Sequence, residues 1–200
     1  MFTRTLKSAT KLWPNLTVKS GVPGKTLRVL GIDPGLARMG WGVVERKGSA
    51  FQALAYGTLE TKAGKPLPER LIDIFEGLQS LLMKYRPDVA AMEELFFSKN
   101  AKTAIVVGQA RGVSLLACGL ARVPVAEYRP MEIKQGVTGW AGADKGQVQK
   151  MVKMLLGLTE IPRPDDTADA LAIAITHAQS AGTPLSDMVK RLSRKNAGIA

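Results

Sequence analysis

The sequence predicts one mixed α/β domain: three strands in an antiparallel meander, then two parallel strands joined through crossover helices. Two patterns carry that expectation. Short apolar runs bounded by Gly, Pro and Asp crowd residues 27–59, and helical periodicity sets in only from Leu71 onward. Composition sets the outer limits. With 200 residues, 46% of them hydrophobic, 20 Gly and 11 Pro, the chain has material for one sizeable core. This excludes a wholly disordered chain, a collagen-like repeat and a disulfide-stapled miniprotein. The single cysteine, Cys118, has no partner for an internal bridge, which fits a reducing cytoplasm. No apolar run reaches the roughly 18 residues that a membrane-spanning helix needs.

Each element has its own signal. Residues 27–32 are an apolar run that stops at the turn Asp33-Pro34-Gly35, which reads as a first strand. Residues 40–46 and 52–59 complete the meander. Leu71, Ile74, Phe75, Leu78, Leu81, Leu82 and Tyr85 mark one face of a long helix, which Pro87 ends. Residues 88–95 form the fourth strand, 100–120 a helix rich in small residues, and 123–127 the fifth strand. Two further helices are expected over 143–156 and 166–178.

The net charge of +11 is concentrated at the ends of the chain. Residues 1–28 carry Arg4, Lys7, Lys11, Lys19, Lys25 and Arg28 and no acid, while 181–200 carry four bases against Asp187. The domain organisation read from this is a basic N-terminal arm at 1–27, a folded domain at 28–180 and a basic tail at 181–200. The arm also has the Ser/Thr-rich, acid-free composition of an organellar targeting segment, and a leader outside the native protein is a third reading. A basic balance points to a polyanionic partner. The folded part is almost neutral, so the placement of its charges has to say more.

Four acids stand where acids are costly. Asp33 ends the first strand, and Glu93 ends the buried run Val89-Ala90-Ala91-Met92 of the fourth. Sites in open α/β sheets gather beyond the carboxyl ends of strands. If strands one and four are neighbours, about 4.8 Å apart, the two carboxylates converge. The other two acids come from Pro162-Arg163-Pro164-Asp165-Asp166-Thr167-Ala168-Asp169. The prolines bar a helix before them and permit one just after, so Asp165 is the expected N-cap. Asp166 and Asp169 then sit one turn apart on the same face, roughly 5–6 Å from each other. Each of these features alone is ordinary turn or cap chemistry. Together they make an oxygen-rich site for hard divalent cations, with no His/Cys set of the kind zinc uses.

Gly31-Ile32-Asp33-Pro34-Gly35 with Gly40-Trp41-Gly42, Ala91-Met92-Glu93-Glu94-Leu95-Phe96, Gly108-Gln109-Ala110-Arg111-Gly112 and Asp166-Thr167-Ala168-Asp169-Ala170-Leu171 closely resemble the RuvC family of Holliday-junction resolvases. The resemblance runs in unbroken order over about residues 28–180. It implies a ribonuclease-H-like fold and a homodimer that introduces paired nicks across a four-way DNA junction. It implies catalytic, metal-binding acids at Asp33, Glu93, Asp166 and Asp169, with two Mg²⁺ or Mn²⁺ ions per site. The RuvA-RuvB branch-migration complex is the partner it implies.

Several side chains are further candidates for DNA contact. Phe96 and Phe97 either cover the core or form a wedge that stacks on an unpaired base, and the resemblance points to Phe96. Lys99 follows in the same loop. Lys134 and Lys145 match family positions near the scissile phosphate, and Arg111 either clamps phosphate or is a surface residue of its own helix. Gly108 and Gly112 permit a close helix approach, which the resemblance assigns to the dimer interface. His177, mid-helix among Ala and Ile, and Cys118 read as structural. An actin-like or sugar-kinase ATPase shares the opening Gly-x-Asp-x-Gly, but needs a duplicated domain and adenosine loops. The nuclease-like family implicated in ribosomal RNA processing shares that motif and is usually shorter. A catalytically inactive junction-binding module has no need of all four acids.

Overall fold

The computed structural model describes residues 26–94 and 101–181. The arm, apart from its last two residues, and the tail beyond Ala181 lie outside them, as do Phe96, Phe97 and Lys99. In chain order the elements are β1 (Leu27–Asp33), β2 (Arg38–Lys47), β3 (Ala50–Glu60), α1 (Leu67–Tyr85), β4 (Val89–Glu93), α2 (Ala101–Leu120), β5 (Val125–Tyr128), α3 (Pro130–Thr138), α4 (Lys145–Leu155) and α5 (Asp165–Ser180). The sheet order is β3-β2-β1-β4-β5. β2 runs antiparallel to both β1 and β3. β4 is parallel to β1 and β5 parallel to β4. The meander followed by two parallel strands is therefore as the sequence pattern predicts.

The period-2 alternation of strands sorts their residues between two cores. Leu30 and Ile32 of β1, with Ala90 and Met92 of β4, pack under α1 and α2. Val29 of β1 and Val89 and Ala91 of β4 pack under α3, α4 and α5. By the same parity Asp33 and Glu93 fall on the α5 face, each one residue beyond the paired Ile32 and Met92.

Helix α5 lies unusually close to that face because the strands beneath it present glycines. A Cβ on Gly31 would come within 2.0 Å of the Ala170 carbonyl oxygen, and one on Gly40 within 1.9 Å of the Asp166 carbonyl oxygen. On Gly42 it would meet the Leu171 side chain at 2.6 Å. Only hydrogen fits there, so the first turn of α5 is held against β1 and β2. The residues from Thr167 to Ala178 are buried, all but Asp169.

Two details differ from the sequence reading. Helix α3 is absent from it, although the helix's signals are present: Pro130 in the first turn, Glu132 accepting from the Arg129 N–H at 2.7 Å, and Gly139 closing the helix at φ 77°. At nine residues it is too short for periodicity to stand out. Asp165 is not the N-cap. Pro164 takes the extended cap conformation, and Asp165 begins the helix, so its carboxylate is available to side-chain partners.

Candidate active site

Strand register and the close seating of α5 bring three of the four acids to one cavity. A space of about 230 Å³ is lined by Asp33, Glu93 and Asp169, together with Lys134, Lys145 and Ile133. Asp33 occupies the end of the central strand. Burial first, then the charges of Asp169, Glu93 and Asp166, push its carboxyl up to about 7, against the opposing pull of Lys145. Glu93 is raised by burial and by Asp169. Asp169 is raised by burial, although Lys145 works the other way. Asp166 stands at the edge, a little over a third exposed, with the Arg38 Nη1 3.7 Å from its carboxylate.

Asp165 belongs to a different set of contacts. It pairs with Arg163 at 2.8 Å and with Lys145 at 3.3 Å, and Lys145 with Gln149 holds its carboxyl below the usual range. The strongest charges acting on Asp33 are those of Asp169, Glu93 and Asp166, and Asp165 is not among them.

Lys145 Nζ lies 3.1 Å from Asp169. Burial works against its charge, but the hydrogen bonds and charges of Asp169 and Asp165 prevail and raise its pKa. The Asp144 N-cap, with its reciprocal Gln147 contact, starts α4 beside the site and so delivers Lys145 there.

The donor set fits a hard divalent cation. It consists of carboxylate oxygens, and the pKa values of Asp33, Glu93 and Asp169 are raised first by burial and then by neighbouring carboxylates, a cost that such a cation relieves. As they stand, no three of these carboxylates, among the described residues, converge tightly enough to enclose an ion. Lys145 pairs with one oxygen of Asp169 in this arrangement.

A second cavity, of about 210 Å³, shares Asp33, Glu93 and Pro130 with the first and is lined also by Glu94, Val107 and Arg111. Arg111 is mostly buried and pairs with Glu127 of β5 at 2.6 Å. Its Nε is buried with no hydrogen-bond partner. It therefore straps α2 to the sheet at the rim of the site, and is not a solvated surface residue. Arg129 reaches Glu94 at 3.4 Å on the same rim. Sequence reasoning missed Arg38 and Glu127. Arg38 shares the strand parity of Gly40 and Gly42, a signal that could have found it. Glu127 carried none.

The two residues read as structural are so. The His177 Nδ1 is 2.7 Å from the Tyr128 hydroxyl. Cys118 is fully buried, and burial pushes its thiol up to about 12.

A family model for the crossover junction endodeoxyribonuclease RuvC matches residues 29–177. The chain belongs to the RuvC family. The RuvC of Brevibacillus brevis is 57% identical over 166 residues, which cover 82% of this chain and all of that protein. The structure of T. thermophilus RuvC in complex with a Holliday junction substrate superposes with a TM-score of 0.75 at 42% identity, covering 78% of this chain and 95% of that one. The yeast mitochondrial Holliday junction resolvase, at 17% identity and a TM-score of 0.58, covers 86% of this chain and 89% of its own and shares the fold. The five-stranded mixed sheet, with Asp33 at the end of its central strand, is thus the ribonuclease-H-like arrangement implied by the RuvC motifs.

Proposed function

We propose that this chain is a structure-selective endonuclease that resolves four-way DNA junctions by paired, divalent-metal-dependent nicking, in recombination and repair. The observation that carries the reading is the state of Asp33. It sits at the centre of the sheet among three other carboxylates, its carboxyl raised to about 7, at a strand-end crevice in a member of the RuvC family. Asp33, Glu93, Asp166 and Asp169 would hold two ions, Mg²⁺ or Mn²⁺. Metal held there would supply an activated water and charge stabilisation for the leaving 3′ oxygen of the phosphodiester.

The surrounding residues bind and orient the strand. Lys134 and Lys145 line the cavity, and we assign them to the scissile phosphate. Arg111 stiffens the rim through its ion pair with Glu127. Phe96, which Phe97 and Lys99 follow in the sequence, is the residue we assign to stacking on an unpaired base at the crossover. The protein acts as a homodimer, which supplies the two sites that paired nicks require. Supporting this, α2 leaves Ile105, Leu116 and Leu120 more than half exposed, and the surface over Gly112 is open. The same reading places it in the cytoplasm, working with the RuvA-RuvB complex, with its basic arm and tail adding phosphate contacts. No helix among the described residues is long and apolar enough to cross a membrane.

The test is to incubate the full chain with a mobile four-way junction and with linear duplex of the same sequence, with Mg²⁺, Mn²⁺, Ca²⁺ or chelator. Symmetric nicks confined to the junction, with Mg²⁺ or Mn²⁺ only, are expected. Ca²⁺, which takes looser and higher coordination, should support binding without cutting. Equal nicking of the duplex would refute junction selectivity, and nicking in chelator would refute the metal site.

A further inference from the structure

Resting on the nuclease reading, we infer that Arg38 is a DNA-phosphate contact, engaging the bound strand on the β2–β3 flank of the acidic site. Lys134 and Lys145 lie on the α3–α4 flank, across the site from it.

The backbone brings Arg38 to the site by necessity. Residues 38, 40 and 42 share one face of β2. Gly40 and Gly42 leave no room between that face and α5, so the first turn of the helix rests on them. Arg38 is the next residue outward on the same face and emerges where α5 begins. Its Nε donates to Glu60, its cross-strand partner, at 2.9 Å. Its Nη1 points to Asp166 at 3.7 Å, too far for a hydrogen bond. The side chain is 45% exposed. Among the described residues, the other guanidinium N–H groups make no hydrogen bond.

A purely structural role explains this poorly. An exposed cross-strand ion pair contributes little, and the pair with Glu60 does not need the guanidinium to approach α5. The N-terminal end of a helix also disfavours a cation, and the Asp166 carboxylate that offsets this stays 3.7 Å from the guanidinium, without a hydrogen bond. A strand whose scissile phosphate lies over Asp33 continues past the site in both directions, with further phosphates along it. On one side it meets two lysines. On the other it meets Arg38, whose planar fork of donors suits a phosphate. Glu60 and Asp166 then act as the anions that hold the fork in place until phosphate replaces them.

Three full-length variants, Arg38→Gln, Arg38→Lys and Glu60→Gln, test this by equilibrium binding to a four-way junction and to linear duplex in Ca²⁺, between about 50 and 200 mM salt. Arg38→Gln should make the plot of log affinity against log salt shallower by roughly 0.9 for each phosphate it no longer neutralises. Arg38→Lys should restore the slope, and Glu60→Gln should tighten binding by freeing the arginine from a competing anion. Melting temperatures are measured alongside. An unchanged slope in Arg38→Gln overturns the inference. So does an unchanged slope accompanied by a shift in the Mg²⁺ concentration for half-maximal cleavage, which would make Arg38 a positioning residue for Asp166. Should Arg38→Gln fail to fold, Glu60→Gln still decides, because affinity equal to or weaker than wild type overturns the inference. The slope is read on duplex as well as junction. A wild type with no preference for the junction would sink the resolvase reading alone, and a preserved preference with no slope change would sink Arg38 alone.

Discussion

Helices α5 and α2 cover opposite faces of one sheet in opposite ways. α5 is buried along nearly its whole length on a bed of glycines. α2 buries Ala110, Ser114, Ala117 and Cys118 on the sheet side, yet turns Ile105, Leu116 and Leu120 outward. The first helix finds its complement within the chain, and the second is left with apolar surface that the described residues do not cover. The difference follows the chemistry. Carboxylates that act together must be placed to a fraction of an ångström, which close packing provides. A surface proposed to join two copies would have to remain available until they meet.

The largest effect expected is from breaking the glycine bed. Gly40→Ala places a methyl group against a backbone carbonyl, which cannot rotate away, so the fold should lose about 3 kcal/mol or more. Denaturant midpoints read the loss, and cleavage should fall with it. A stability within experimental error of wild type would show that α5 is not seated as described.

Asp33 sharpens the same side of the comparison through pH. Its folded pKa of about 7 exceeds the ordinary 3.8, so between these values the folded state holds a proton that the unfolded state has released. Stability of the metal-free protein should therefore fall as pH rises from about 4 to about 7, by on the order of a few kcal/mol, and level off above. Asp33→Asn should flatten that decline and raise the melting temperature at pH 8, while abolishing nicking and leaving junction binding intact. Nicking at wild-type rates by this variant would remove Asp33 from the mechanism.

On the α2 side, Leu116→Glu should dissociate the proposed dimer, read by sedimentation, while the monomer's stability moves by less than about 1 kcal/mol, as for other exposed positions. Paired nicks should become single. A dimer that survives both this change and Leu120→Glu would place the interface elsewhere. The smallest effect is expected at Gly112, where a Cβ meets nothing within 4 Å. Gly112→Ala should stabilise the monomeric Leu116→Glu background by roughly 0.5–1 kcal/mol, through helix propensity alone. Gly40 and Gly112 thus predict opposite signs for the same substitution.

Much of the architecture is legible from local rules. Asp33-Pro34-Gly35 ends β1 because proline and glycine end strands, and the apolar stripe from Leu71 to Tyr85 is α1. The acid types, their strand-end positions and the spacing of Asp166 and Asp169 likewise follow from short-range patterns. The α3 helix escapes such rules because one face of nine residues offers too few apolar repeats. Asp165 reads as a cap from its residue type, yet Pro164 can fill that position as well. What the tertiary structure alone decided is which charges meet. The parallel register of β1 with β4 sets Asp33 beside Glu93, and the missing side chains of Gly31 and Gly40 let α5 carry Asp169 to them. Lys145, Arg38 and Arg111 acquire their partners only through that assembly. The reason is physical. Turns, caps and periodicity depend on neighbours within a few residues, whereas burial and Coulomb interaction depend on distances that exist only once remote segments have packed together.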